Sequence, residues 1–143
     1  MRNRKIADVI KGQTLIFADT KLSIREAAKK MSAAGVGAIL VVTGEKLVGI
    51  FTERDALKRV LAAGTQPDNV RLDEVMTPDP MTITPDRPLG HALHMMFEGG
   101  YRHVPVVEAG RPVGMVSARD ALGAELEAFE DELTRRNEIN EIL

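Results

Sequence analysis

The sequence predicts an α/β fold made of two tandem copies of one helix–strand–strand–helix unit, with a helical extension after the second. Two observations carry this. GIFTERDAL at 49–57 returns as GMVSARDAL at 114–122, and the offset of 65 residues, held constant, aligns 6–61 with 71–126 without a gap. That alignment contains 13 identities in 56 positions, among them Gly35/Gly100, Gly49/Gly114, Arg54/Arg119 and Asp55/Asp120. A gap-free match of this length marks an internal duplication, and a duplication decides the fold before any local propensity does. The second observation is a hydrophobic period that changes from helical to extended at the same places in both copies.

Each element follows in order. A short extended lead-in opens each copy, around Leu15–Ala18 and Met81–Ile83. SIREAAKKMSAAG (23–35) puts Ile24, Ala27, Ala28 and Met31 at helical spacing, and PLGHALHMMFEGG (88–100) does so with Leu89, Ala92, Leu93 and Met96. Pro88 suits a first helical turn, and the closing glycines suit a helix C-terminus. AILVV (38–42) and HVPVV (103–107) are short apolar runs, followed by the turns TGEK and EAGR and by LVGIF (47–51) and PVGMV (112–116). Two such runs around a glycine-containing turn read as a hairpin. Thr52 and Ser117 then stand as N-caps for ERDALKRVLAAG and ARDALGAELEAF. The residues between the copies, 64–88, are punctuated by Gly64, Pro67, Pro78, Pro80, Pro85 and Pro88 and read as a connector. Leu122, Leu126, Phe129 and Leu133 form an apolar stripe on a charged tail, which must pack on something, in this chain or in a second one. The expected division is 1–68 for the first repeat, 69–126 for the second and 127–143 for the extension.

Composition narrows the function. The chain has 143 residues, 44% of them hydrophobic and 28% charged, which is ordinary globular usage. Lys and Arg number 19 against 21 Asp and Glu, so the basic excess that phosphate-driven nucleic-acid binding needs is missing. With no Trp, one Tyr and four Phe there are too few rings for a base-stacking platform. No cysteine means no disulfide, thiolate metal site or cysteine nucleophile. The first residues lack the apolar core of a signal peptide, and no apolar run approaches the ~18 residues of a membrane span, so the expected address is the cytoplasm.

Two tandem units, each ending in G-h-x-[ST]-x-x-D, resemble a pair of cystathionine-β-synthase (CBS) domains, the Bateman module. The resemblance runs from about Ile6 to Leu126. It rests on Gly49-Ile50-Phe51-Thr52-Glu53-Arg54-Asp55, on Gly114-Met115-Val116-Ser117-Ala118-Arg119-Asp120, on the opener Asp73-Glu74-Val75-Met76-Thr77, and on Tyr101-Arg102-His103-Val104-Pro105-Val106. The first opener, Asp8-Val9-Ile10-Lys11-Gly12, departs from the pattern in having Lys11 where methionine is usual. The resemblance implies two units related by a pseudo-two-fold axis and packed sheet to sheet, with two nucleotide sites in the clefts between them. It implies AMP, ADP, ATP, a nicotinamide dinucleotide or S-adenosylmethionine as ligand, and a flat homodimer formed through the flanking helices.

The residues accommodate that chemistry. Free N–H groups at a helix start bind anions, and the Thr52 or Ser117 hydroxyl adds a hydrogen bond to phosphate. A carboxylate three residues on, at Asp55 or Asp120, can accept both hydroxyls of a ribose. Gly49 and Gly114 allow the backbone to approach a ligand closely. The resemblance places Arg54, Arg119, Val36, Gly37, Ala38, Met81, Tyr101, Arg102 and His103 in the same sites. Gly37 and Ala38 align with Arg102 and His103, so the two sites are not equivalent, and the polar pair marks one as the stronger phosphate binder. The plainer reading keeps Thr52 and Ser117 as caps and Asp55 and Asp120 as groups favoured by the helix dipole. His91 and His94 lie at i, i+3 with no third ligand in view, and no metal is expected. Met31, Met95 and Met96 fill core space, and Gly35-Val36-Gly37 is a helix-to-strand turn rather than a dinucleotide fingerprint. No nucleophile or paired carboxylates stand at a catalytic spacing, so the chain is expected to be no enzyme. It is expected to act as a nucleotide sensor signalling through an unknown effector or through self-association, or else as a scaffold that needs no ligand.

Overall fold

The computed structural model describes residues 4–121, 123 and 131–137. Helix α1 (Ile6–Ile10) leads to strand β1 (Phe17–Asp19), helix α2 (Ile24–Ala34) and the hairpin β2 (Ala38–Thr43) and β3 (Lys46–Thr52). Helix α3 (Glu53–Asp55) continues as a π-helix over Ala56–Leu61. The second copy has α4 (Leu72–Val75), β4 (Thr77–Pro78), α5 (Leu89–Gly99), the hairpin β5 (His103–Glu108) and β6 (Arg111–Ser117), and a 3-10 turn over Ala118–Ala121. Residues 131–137 are helical.

The expected mixed α/β duplication is what forms, and local chemistry explains its elements. Ser23 Oγ accepts the Glu26 N–H at the start of α2 (3.2 Å). Gly35 and Gly100 close α2 and α5 in the left-handed region, at φ 66° and 71°, where a side chain would be strained. Both hairpins pair in the same register, Val41 opposite Gly49 and Val106 opposite Gly114. Each shifts by one residue immediately after that pair. β1 pairs in parallel with β2, Ala18 opposite Val41, and the second copy keeps only the matching bridge of Ile83 to Val106.

Two findings depart from the expected layout. The helix after β3 widens to i→i+5 hydrogen bonding, as in Ala62 N–H to the Leu57 carbonyl (2.8 Å). Its partner after β6 is a 3-10 turn over the described residues, and Leu122, Leu126 and Phe129 of the predicted stripe lie outside them.

The opening helices change sides. Ile6, fully buried, sits in the core of the second copy with Ile83, Leu89, Ala92, Val104, Val106 and Val116, and Val9 and Ile10 pack against it. Leu72, also fully buried, sits in the core of the first copy with Ile24, Met31, Ile39, Val41 and Phe51, and Val75 and Met76 pack against that one. Each repeat is therefore completed by the opener of the other. A third cluster, Ala38, Leu40 and Ile50 with Leu15, Leu47 and Met115 against it, joins the two sheets.

Gly49 and Gly114 belong to this exchange. A Cβ on Gly49 would lie 2.4 Å from Met76 Sδ, and one on Gly114 would lie 2.6 Å from Ile10 Cγ2. The sequence reading that these glycines admit a ligand is thus corrected: they admit the exchanged opener's side chain. Ile10 does for the first opener what Met76 does for the second, which explains why Lys11 is tolerated where methionine was expected.

Candidate functional site

Two clefts open between the copies. The first, of about 1020 Å³, is walled by Thr52–Asp55 and Leu57–Arg59 of the first copy, and by Thr77, Asp79–Met81 and Gly99–His103 of the second. The second, of about 680 Å³, is walled by Ser117–Asp120 of the second copy and by Gln13–Ile16 and Gly35–Ala38 of the first. The arrangement follows the repeat: the strand-to-helix junction of one copy faces the lead-in and the helix-to-strand turn of the other. Thr52, Arg54, Asp55, Met81, Tyr101, Arg102 and His103 meet in the first cleft. Val36, Gly37, Ala38, Ser117, Arg119 and Asp120 meet in the second, where Arg102 and His103 also appear. The thirteen residues singled out from the sequence therefore fall into two places.

The helix starts are more committed than expected. Thr52 N–H and Oγ1 donate to Asp55 Oδ2 (3.0 and 3.1 Å), and Asp55 N–H donates back to Thr52 Oγ1 (3.2 Å), a closed capping box. Ser117 N–H and Oγ donate to Asp120 Oδ2 in the same way (2.7 and 3.4 Å). The next amides are also satisfied, Glu53 N–H by the Gly37 carbonyl and Ala118 N–H by the Arg102 carbonyl (both 2.9 Å). The expected set of free N–H groups at these helix starts is thereby corrected: local capping uses most of them. At each junction the second carboxylate oxygen lies outside these contacts. Arg59 Nε lies 3.7 Å from Asp55 Oδ1. Arg54 Nη1 donates to the Gly100 carbonyl (2.8 Å) and ties the first cleft's two walls together.

His103 opens β5 opposite Ser117. Burial lowers its pKa, as does Arg102 beside it, while the carboxylates of Glu53 and Asp120 pull the other way. A histidine held below its unfolded value near ~6.5 binds its proton less readily in the folded chain. Stability is then whole above that pH and falls as the pH drops from about 6.5 toward the folded value. His103→Gln is expected to flatten this part of the stability–pH curve, read by urea unfolding at pH 7.5 and 5.5. Equal losses in both proteins would assign the acid sensitivity to other groups. A phosphate beside His103 would favour the protonated ring, but proton uptake starts from this lowered value rather than from an ordinary histidine's.

Three residues escaped sequence reasoning. Glu53 lines both clefts, and its only sequence signal was that it aligns with Ala118. Asp79, between two prolines on the wall of the first cleft, adopts φ 44°, a conformation that Asp tolerates better than most side chains. Gln13 donates from Nε2 to the Met115 carbonyl and accepts the Met115 N–H at Oε1 (2.8 and 3.0 Å), so its amide stands in for the backbone pairing that β4 gives β3. Met31 and Met96 are core residues, as expected, and His94 pairs with Glu98 on the exposed face of α5 (2.8 Å).

Fold and site together define a tandem module of two α/β repeats with exchanged openers and a pair of inter-repeat clefts. The chain belongs to the CBS domain family, whose model matches residues 6–62 and 72–127. It is similar to the mitochondrial CBS domain-containing protein CBSX3 of Arabidopsis thaliana, 32% identical over 92% of this chain and 69% of that one. Some curated relatives are much longer: this chain spans 19% of Arabidopsis CBSCBSPB2, at 34% identity over 70% of its own length. Among solved structures, a putative signal-transduction protein with CBS domains from Burkholderia ambifaria MC40-6 superposes at TM-score 0.80, with 27% identity over 87% of this chain and 95% of that one. The CBS domain pair of protein MJ0100, solved with 5′-methylthioadenosine and S-adenosyl-L-methionine, superposes at TM-score 0.77, with 29% identity over 90% of this chain and 99% of that one. No helix among the described residues is long and apolar enough to cross a membrane.

Proposed function

We propose that the protein is a regulatory module that binds adenine nucleotides, of the AMP, ADP, ATP or NAD type, in its two inter-repeat clefts. It passes occupancy on through self-association or an effector protein and does not itself catalyse. The observation that carries this reading is the convergence of both strand-to-helix junctions, each with one carboxylate oxygen outside its capping box, on clefts large enough for a nucleotide. The adenosine ligands of the MJ0100 domain pair support the ligand class. The cations Arg54, Lys58, Arg59 and Arg102 around the first cleft favour a phosphorylated ligand. The cytoplasm, rich in such nucleotides, is the compartment this reading favours. Small molecules released by denaturing the purified protein, identified by mass spectrometry, test it: a near-stoichiometric adenine nucleotide supports the sensor. A protein that is clean and untitratable with AMP supports a scaffold instead, the reading favoured by how fully Thr52 and Ser117 are used as caps.

Alanine at Asp55 or Asp120 is expected to cost the corresponding cleft about 1.5–3 kcal/mol of nucleotide affinity, the loss of a charge-assisted hydrogen-bond pair. Each also removes the acceptor of the Thr52 or Ser117 backbone N–H, so a stability loss on the order of 1 kcal/mol accompanies it. Titration calorimetry with AMP separates the two effects, and unchanged affinity and stoichiometry in both variants would remove these residues from the site.

Leu57 and Leu61, 58% and 71% exposed beside the buried Val60, and Phe97, 88% exposed on α5, leave apolar surface uncovered on the flanking helices. Leu133 on the tail is exposed as well. Light scattering at micromolar concentration is expected to give about twice the chain mass of 15.6 kDa. A monomeric mass that persists with saturating AMP contradicts the dimer.

A further inference from the structure

The two clefts share a wall. Glu53, Arg102 and His103 line both, and no other described residue does. These three stand where the opposite copy has Ala118, Gly37 and Ala38. The replacements fit together: a Cβ on Gly37 would lie 2.9 Å from Glu53 Oε1, so the glycine of one copy leaves room for the carboxylate at the shared wall. The backbone closes the arrangement from both sides, Glu53 N–H on the Gly37 carbonyl and Ala118 N–H on the Arg102 carbonyl. The wall thus holds one guanidinium, one imidazole and one carboxylate, where the pseudo-two-fold counterparts are all small and uncharged.

We propose that Arg102 and His103 are a shared counter-charge, so that anionic ligands in the two clefts bind anticooperatively while uncharged adenosine compounds do not. This rests on the nucleotide-binding reading above. A single guanidinium that swings toward a phosphate in one cleft is withdrawn from the other, which keeps its own cations but loses the one that offsets the Glu53 carboxylate at the shared wall. By linkage the penalty is reciprocal, whichever cleft fills first. An uncharged ligand makes no claim on these groups and leaves the neighbouring cleft as it was. The module would therefore hold one phosphorylated and one uncharged ligand more readily than two phosphorylated ones.

The test needs each cleft alone. Leu57 lines only the first cleft and Val36 only the second, and they are 58% and 41% exposed, so Leu57→Trp and Val36→Trp fill one cleft each without entering a core. AMP and adenosine are titrated into both single-cleft variants and into the unmodified protein. For AMP, the product of the two stepwise dissociation constants of the unmodified protein is expected to exceed the product of the two single-cleft constants by about tenfold, a typical coupling. The excess should shrink with added salt. For adenosine the products should agree. In Arg102→Gln/His103→Gln the excess for AMP should disappear. Agreement for AMP in the unmodified protein, an equal excess for adenosine, or an excess that survives the double variant would each overturn the coupling alone. Absence of binding by either ligand to any of the proteins would overturn it together with the nucleotide-binding reading.

Discussion

Alanine at Phe51 is expected to lower the unfolding free energy by about 3–5 kcal/mol, the cost of a large cavity in a packed core. Phe51 is fully buried at the end of β3, one residue before the first cleft's capping box. It packs among Ile24, Met31, Ile39, Val41 and the exchanged Leu72, so its loss leaves a void walled by both copies. Urea unfolding measures the change, and a loss under about 1 kcal/mol would mean that the core collapses around the space.

The second large effect lies in the other core cluster and near the chain start. Ile6→Ala is expected to cost about 2–5 kcal/mol, as for a central core residue. Judged by position in the sequence, Ile6 begins a short opener that precedes the first repeat's main helix. Judged by packing, it is fully buried against α5, β5 and β6, with its N–H on the Arg87 carbonyl (2.9 Å). Because the two openers cross, the damage in the second copy is expected to appear as one cooperative transition of the whole chain, seen equally by circular dichroism and by a fluorophore on the first copy. A separate early transition confined to one half would show that the exchange does not couple them.

Much of this architecture is legible in the residues. The repeat supplied its own control, because Gly49 and Gly114, or Asp55 and Asp120, confirm each other's place. Helical spacing in 23–35 and 88–100 and the alternation into paired strands gave α2, α5 and both hairpins. The exchange of openers was not legible. Asp8 and Asp73 align in the repeat, but alignment does not say which sheet an opener lies on; that choice is made by non-local packing of Ile6 and Leu72. For the same reason Gly49 could be read as a point of close approach, while what approaches, Met76, could not. At the clefts, residue type and spacing found the right positions but could not apportion their hydrogen bonds. Thr52 and Asp55 at i, i+3 are as good a capping box as a ligand contact, and the structure uses them first as a cap. Glu53 gives no signal in what the copies share; its interest lies in the contrast with Ala118 and in packing across the wall.

The crossing of the openers also bears on descent. A single repeat of this design carries a helix that it cannot seat on itself and a groove that it cannot fill. Two identical half-length copies would solve both problems by trading plugs and close as a symmetric pair. Joining the pair through the short segment between Leu61 and Leu72 makes the trade intramolecular and independent of protein concentration. It also lifts a restriction. In a symmetric pair every substitution is made twice, so a carboxylate placed at the axis meets its own image. In the fused chain Glu53 can arise without a second Glu at 118, and Arg102 and His103 without disturbing Gly37 and Ala38. In a single chain the middle of the molecule is free to be polar on one side only.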